Sequence, residues 1–141
     1  PAVLEARKRG VIFDIGHGMG SFSFKTARTM LANGFMPDCI SSAVHALCIE
    51  GPAFDLLTTL SKFICLGMPL GDVIRTATEN PARALKRGDL GTFRKGAAGD
   101  ASILTLETGR FDYVDSTGEH LEGEKRLTAQ GVIIRGALFA A

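Results

Sequence analysis

The sequence predicts an α/β fold in which two consecutive strand-loop-helix units precede a small antiparallel β layer. Two observations support this prediction. Between residues 11 and 67, short apolar strand patterns are twice followed by a loop and then by a helical pattern. Strands connected through helices in this way run parallel, with the helices packed outside them. From Gly91 onward, strand patterns instead alternate with glycine-containing turns, which is typical of antiparallel strands.

The first half of the chain supplies the helices and the parallel strands. The predicted elements are a helix over residues 1–9, a strand over 11–15 ("VIFDI"), a helix over 23–33, a strand over 35–42 ("FMPDCISS") and a helix over 55–66. Each helix is followed by a glycine of the kind that commonly ends a helix, namely Gly10, Gly34 and Gly67. In the last helix the apolar residues fall on one face, and Lys62 is interpreted as a charge on a solvated face.

The second half of the chain changes from helices to strands and turns. Residues 69–85 predict a helix interrupted at "NP" (80–81), because proline restricts the residue before it. Three strand patterns follow, "DASILTL", "RFDYVDS" and "RLTAQGVIIRGALF", separated by predicted turns in "ETGR" and "STGEH". We therefore predict two domains, residues 1–88 and residues 89–141.

Composition and charge argue against several classes of protein. Sixteen basic and fifteen acidic residues leave a net charge of +1, so we expect neither a nucleic-acid nor a membrane partner. The apolar runs are too short to cross a bilayer, and we predict a cytoplasmic location. Three cysteines, Cys39, Cys48 and Cys65, form no CxxC pair, which disfavours a disulfide framework and a cysteine zinc site.

The order of the motifs resembles a known family. The stretches "GVIFDIGHGMGSFSF", "PDCISSAVHAL", "GPAFDLLTTLSKF", "GMPLGDVIRTATENPARAL" and "GTFRKGAAGDASILTL" resemble the C-terminal part of the amidohydrolase superfamily, in particular its dihydroorotase-like amidohydrolases and deacetylases. The pairing of "TENPARAL" with "GTFRKGAAGDASILTL" is the most specific signal. The resemblance implies that residues 1–88 form the last βα units of a (β/α)8 TIM-like barrel. It also implies that residues 89–141 form part of a small β-sandwich.

The resemblance also implies a chemistry. Members of this superfamily use one or two divalent metals, commonly zinc, whose bound hydroxide attacks an amide or ester. The metal ligands lie on the barrel strands, and only the position of the last one, an aspartate, falls within this chain. We therefore expect a divalent metal in the complete protein, a small acylated carboxylate as substrate, and a missing N-terminal barrel segment or another chain as partner. A homo-oligomer is also expected.

The position of that aspartate is occupied by Ala43. In the family, two small hydroxylated residues precede the aspartate and a histidine follows two positions after it, as Ser41, Ser42 and His45 do here. A methyl group neither ligates a metal nor carries a proton, so we predict that this chain alone is inactive. Four interpretations stay open: an engineered change, a degenerate relative, a divergent member with another base, or an alanine that merely fills the barrel interior.

Candidate substrate contacts surround this position. We predict that His17 and Gly18, in the loop "GHGMG" after the first strand, contact the substrate, because barrel active sites are built from such loops. His17 could instead bond to its own turn. His45 is predicted to contact the substrate or to serve as a structural histidine. A dinucleotide-binding loop is disfavoured because the third glycine of GxGxxG is missing.

A second hypothesis belongs to another functional class. The protein could keep the amidohydrolase fold for binding or assembly without catalysis. Ala43 is the one feature that favours this hypothesis, whereas the intact loop glycines and histidines count mildly against it.

Overall fold

Helices and parallel strands occupy the first half of the chain, and antiparallel strands occupy the second. The computed structural model describes residues 2–140. In chain order the elements are α1 (Ala2–Lys8), β1 (Asp14–His17), α2 (Phe24–Ala32), β2 (Cys39–Ser42), α3 (Leu56–Cys65), α4 (Leu70–Ala77), α5 (Glu79–Ala84), β3 (Ala101–Val114), β4 (His120–Ile134) and β5 (Ala137–Ala140). The predicted α/β class is confirmed, while residues 1 and 141 of the predicted elements lie outside the described range.

The two short strands β1 and β2 pair in parallel, as the order of elements predicted. Both are shorter than predicted, with four residues each. Val11 lies outside β1, and β2 begins only at Cys39. Ahead of the paired residues, the Asp38 carboxylate accepts the backbone N–H of Phe13 at 2.9 Å, while the Phe13 carbonyl accepts the backbone N–H groups of Asp38 at 3.0 Å and Cys39 at 3.1 Å.

The helices end largely where their glycines predicted. Gly34 after α2 and Gly67 after α3 adopt the left-handed conformation, with φ of 69° and 99°. The predicted helix over 69–85 is two helices, α4 and α5, and the break falls at Thr78 rather than at residues 80–81. Pro81 lies within the first turn of α5, where its missing N–H costs no helical hydrogen bond.

The second half forms a three-stranded antiparallel sheet in the order β3-β4-β5. The turn predicted in "ETGR" is wrong, because β3 runs through it as a single strand. Between Thr108 and Phe111 the register with β4 shifts by one residue, and this one extra residue of β3 forms a bulge. The turn predicted in "STGEH" is confirmed: it joins β3 to β4, and Asp115 N–H donates to Glu119 O across it at 3.0 Å. We call residues 115–119 the hairpin tip.

Helix α3 lies between the two sheets and contacts both β2 and β4. One cluster of buried side chains therefore includes Ile40 from β2, Phe63 from α3, and Tyr113 and Leu127 from the antiparallel sheet. This core crosses the predicted boundary between residues 88 and 89. The division into two domains stays a prediction.

The longest helix in the described range is α3, with ten residues. A bilayer-spanning helix needs about 20 residues of predominantly apolar character. Among residues 2–140, no helix has the length and apolar character needed to span a membrane. The cytoplasmic location stays a prediction.

Candidate active site

The candidate site lies at the edge where β1 and β2 end. Because the strands are parallel, the loops that follow them, residues 18–23 and 43–55, start side by side. The Ala43 N–H donates to the His17 carbonyl at 3.0 Å. A Cβ placed on Gly18 would lie 3.3 Å from the Ala43 Cβ. The structure thus brings together three of the predicted site residues, Ala43, His17 and Gly18.

The His17 ring is fully buried, and both of its nitrogens have partners. Nδ1 lies 3.0 Å from the Gly18 carbonyl, and Nε2 lies 2.7 Å from Lys62 Nζ. The Lys62 ammonium also donates to the carbonyls of Pro52 at 2.6 Å and Val114 at 2.8 Å. A carbonyl can only accept, so this network assigns the ring proton to Nδ1 and makes Nε2 the acceptor.

Burial sets the charge states of this pair. Burial, reinforced by the Lys62 charge, lowers the pKa of His17 from 6.5 to about 4. Burial also lowers the pKa of Lys62 to about 8, although the negative charges of Asp115 and Asp55 act in the opposite direction. At pH 7 the pair is therefore a neutral imidazole that accepts a hydrogen bond from a charged ammonium.

The interpretation of Lys62 as a charge on a solvated face is wrong, because its side chain is fully buried. Five consecutive residues of α3, Thr59–Phe63, are buried, so this helix is enclosed on nearly all sides. The sequence carried a signal of this: Lys62 is the one charged residue among the ten residues of α3. A lysine is almost never fully buried unless it is paired, so burial of this helix requires partners for its one charge.

The hairpin tip holds the loop that follows β1. The buried Asp115 carboxylate accepts the Phe24 N–H at 2.8 Å, at the start of α2. The Ser116 hydroxyl donates to the Gly18 carbonyl at 3.1 Å. Burial acts to raise the pKa of Asp115, but hydrogen bonds from Phe24 and from the tip itself outweigh it and hold this pKa below its ordinary value. Sequence reasoning missed both residues, because their partners lie more than 90 positions away.

The other predicted contacts are more accessible than His17. Ala43 and His45 are exposed at the edge, and His45 Nδ1 accepts the Leu47 N–H at 3.2 Å. Gly18 is buried, and its N–H donates to the Ser21 hydroxyl at 2.8 Å. In this conformation, substrate contact by the His17 ring would require one of its two bonds to break. Substrate binding by His17, Gly18 and His45 stays a prediction.

The described residues do not form a metal site by themselves. Within residues 2–140, no group of three or more His, Cys, Asp or Glu side chains is placed to hold a metal ion. The three histidines are separated: His17 bonds to Lys62, His45 lies in the loop after β2, and His120 pairs with Asp112 at 2.8 Å in the antiparallel sheet. No catalytic step through a metal is therefore assigned to these residues.

Comparison with known proteins identifies the family. Residues 23–138 match the sequence profile described as "Amidohydrolase family". The chain belongs to the amidohydrolase family. The resemblance drawn from the motifs is thereby confirmed, including its dihydroorotase-like and deacetylase relatives.

Three similar proteins illustrate this membership. A deacetylase from Brucella anthropi is 36% identical over 110 residues, which cover 78% of this chain and 27% of that protein. The solved structure of an adenine deaminase superposes with a TM-score of 0.94 at 31% identity, covering 98% of this chain and 38% of the other. The solved structure of a dihydroorotase superposes with a TM-score of 0.90 at 31% identity, covering 99% of this chain and 38% of the other. The chain thus spans between about a quarter and two fifths of the length of these proteins.

Proposed function

We propose that this chain is the C-terminal portion of a metal-dependent amidohydrolase that hydrolyses an amide or ester of a small acylated carboxylate compound. The observation that carries the proposal is the family match over residues 23–138. The relatives named as deacetylases support an acyl group as the part that is removed. The adenine deaminase and dihydroorotase structures share the fold and support the reaction class rather than this substrate.

In this proposal, β1 and β2 are the last two strands of a (β/α)8 barrel, and β3, β4 and β5 belong to a β-sandwich. Two parallel strands cannot close a barrel, which needs eight. Each strand of the pair also has an edge with backbone groups suited to a further strand. A missing N-terminal segment or another chain would supply those strands, and a homo-oligomer is expected. The barrel and sandwich portions correspond to residues 1–88 and 89–141.

Ala43 occupies the position of the superfamily's catalytic aspartate in this proposal. Its exposure at the carboxyl edge of the strands supports this placement, because barrel active sites lie at that edge. Loss of proton transfer alone would lower the rate by a factor of about 10² to 10⁴. Amidohydrolases generally use divalent metals. Such a metal, with zinc as our expectation, would be held by parts of the complete protein beyond the described residues.

The test restores the carboxylate in the complete protein that carries this chain. Ala43→Asp is assayed with a panel of N-acylated and O-acylated small carboxylates, beside Ala46→Asp, which adds the same charge to an exposed position of the same loop. We expect kcat/KM to rise by about 10² to 10⁴ only in Ala43→Asp. Equal activities in both variants, with metal bound, would show that the alanine at position 43 is not the cause of low activity. Substantial hydrolysis by the unaltered complete protein would contradict the proposal that the family's aspartate is lost at Ala43.

The alternative function is a non-catalytic protein that keeps the fold for binding or assembly. Ala43 is the observation that favours it. Metal analysis of the complete protein separates the two proposals, because an inactivated enzyme keeps metal on its other ligands. A metal-free protein in which Ala43→Asp gains no activity would favour the non-catalytic function.

A further inference from the structure

We propose that Lys62 is a positioning residue that locks three segments at the carboxyl edge of the parallel strands into one arrangement. Its ammonium contacts His17 at the end of β1, Pro52 in the loop after β2, and Val114 next to the hairpin tip, at 2.6 to 2.8 Å. These segments are separated along the chain by 35 residues or more. The inference rests on the proposed function only in taking this edge as the active-site face.

The cost of burying this side chain argues that it does more than fill space. Removing an ammonium from water carries a large free-energy cost even after the protein relaxes, and an apolar side chain would fill the volume without that cost. Lys62 offsets the cost because each of its three N–H donors has an acceptor. Three acceptors from three separate segments fix their relative positions, which one apolar contact surface would not.

The hairpin tip reinforces the same arrangement. The Ser116 N–H donates to the Phe22 carbonyl at 3.0 Å, and the Ser116 hydroxyl donates to the Gly18 carbonyl at 3.1 Å. Asp115 binds the N-terminus of α2 through Phe24 at 2.8 Å. The tip thus contacts the loop after β1 directly, and it is connected to His17 a second time through Val114 and Lys62.

Lys62 acts on the exposed part of the site through His17. The His17 carbonyl accepts the Ala43 N–H at 3.0 Å, so the position of His17 sets the position of the backbone at residue 43. Lys62 itself is fully buried and does not reach the exposed face. Its predicted role is to hold the imidazole and, through it, the first residue of the loop that would present a catalytic carboxylate.

The first test needs no variant. In the complete protein at pH 7, ¹⁵N shifts of the His17 imidazole should show a neutral ring with the proton on Nδ1 and a hydrogen-bonded acceptor at Nε2. A ring protonated on Nε2, or an imidazolium, would overturn the inference. This measurement does not depend on activity, so it remains decisive even if the proposed function fails.

The second test is Lys62→Met, with Lys25→Met as the control on an exposed face of α2. In Lys62→Met we expect a mixture of His17 tautomers and at least about tenfold faster amide hydrogen exchange at Ala43, because local opening becomes easier. The Lys25→Met protein should match the wild type in both measurements. Unchanged tautomer and exchange in Lys62→Met would refute the positioning role.

Activity then separates the inference from the proposed function. In the Ala43→Asp background, adding Lys62→Met should lower kcat about tenfold or more while changing KM little, because the displaced carboxylate acts on the chemical step. An equal loss from Lys25→Met would overturn the inference. If Ala43→Asp is itself inactive, the proposed function fails, and the tautomer and exchange measurements still decide the role of Lys62.

Discussion

Acidification from pH 7 to pH 5 is expected to destabilise the fold through His17. Burial and the neighbouring Lys62 charge lower the pKa of this histidine from 6.5 to about 4. Between these two values the unfolded chain binds a proton that the folded protein does not, so the free energy of unfolding falls as the pH falls. Lys62 does not contribute to this pH dependence of the free energy of unfolding. With a pKa of about 8 in the folded protein, it is charged in both the folded and the unfolded state below pH 7.

The expected magnitude follows from the two pKa values of His17. A fall from 6.5 to about 4 corresponds to about 3 kcal/mol in total, at about 1.4 kcal/mol per pH unit. At pH 7 almost none of this has been lost, because the unfolded histidine is still mostly neutral. At pH 5, about 2 kcal/mol has been lost, because the unfolded histidine is then almost fully protonated while the folded one remains largely neutral.

The assay compares the complete wild-type protein with His17→Gln in urea unfolding followed by circular dichroism at pH 7, 6 and 5. Glutamine keeps a donor and an acceptor but does not titrate. All other ionisable groups are present in both proteins, so their contributions cancel in the difference. The wild type should lose about 2 kcal/mol more than the variant. Equal losses would refute a buried, neutral His17.

Two further substitutions test the packing around the site. Asp115→Ala should lower the free energy of unfolding by about 3 kcal/mol or more, because it leaves the Phe24 N–H and the N–H groups of the hairpin tip without their acceptor. A loss below about 1 kcal/mol, measured by thermal or urea unfolding, would contradict this prediction. Gly123→Ala should also destabilise the fold, because its Cβ would lie 2.8 Å from the Tyr113 ring. Gly88→Ala, where a Cβ meets open space, is the control that should stay within about 0.5 kcal/mol.

Local signals predicted the order of the elements well. The ends of α2 and α3 follow from Gly34 and Gly67, since the left-handed conformation at a helix end is determined by residues within one turn. Strand lengths were predicted less well, because pairing depends on partners from elsewhere in the chain. The stretch "ETGR" has the composition of a turn. However, β3 pairs with β4 on both sides of it, so only a bulge results.

In the candidate site too, residues whose placement depends on nearby sequence could be predicted, and a residue whose partners are distant in sequence could not. Ala43, His17 and Gly18 could be placed together because parallel strands end at one edge. Lys62 could not, since its partners lie 10, 45 and 52 positions away and its environment depends on α3 being enclosed by two sheets. A charged residue on a helix is usually solvated, so the low charge of α3 was the one local clue to its burial.

The state of this network bears on the choice between an inactivated enzyme and a protein kept for assembly. A surface used only for assembly has no need to hold the edge beneath Ala43 with a buried ammonium, whose desolvation costs several kcal/mol. That edge is instead fixed by hydrogen bonds that Lys62 and Ser116 donate and by the bond that the His17 carbonyl accepts from Ala43, and in the proposed function the side chain lost there is a carboxylate at position 43. Rigid support directly below an exposed position is what a catalytic side chain requires. The arrangement therefore favours the proposed hydrolase over the non-catalytic alternative, and it is the reason to expect that Ala43→Asp raises activity in the complete protein.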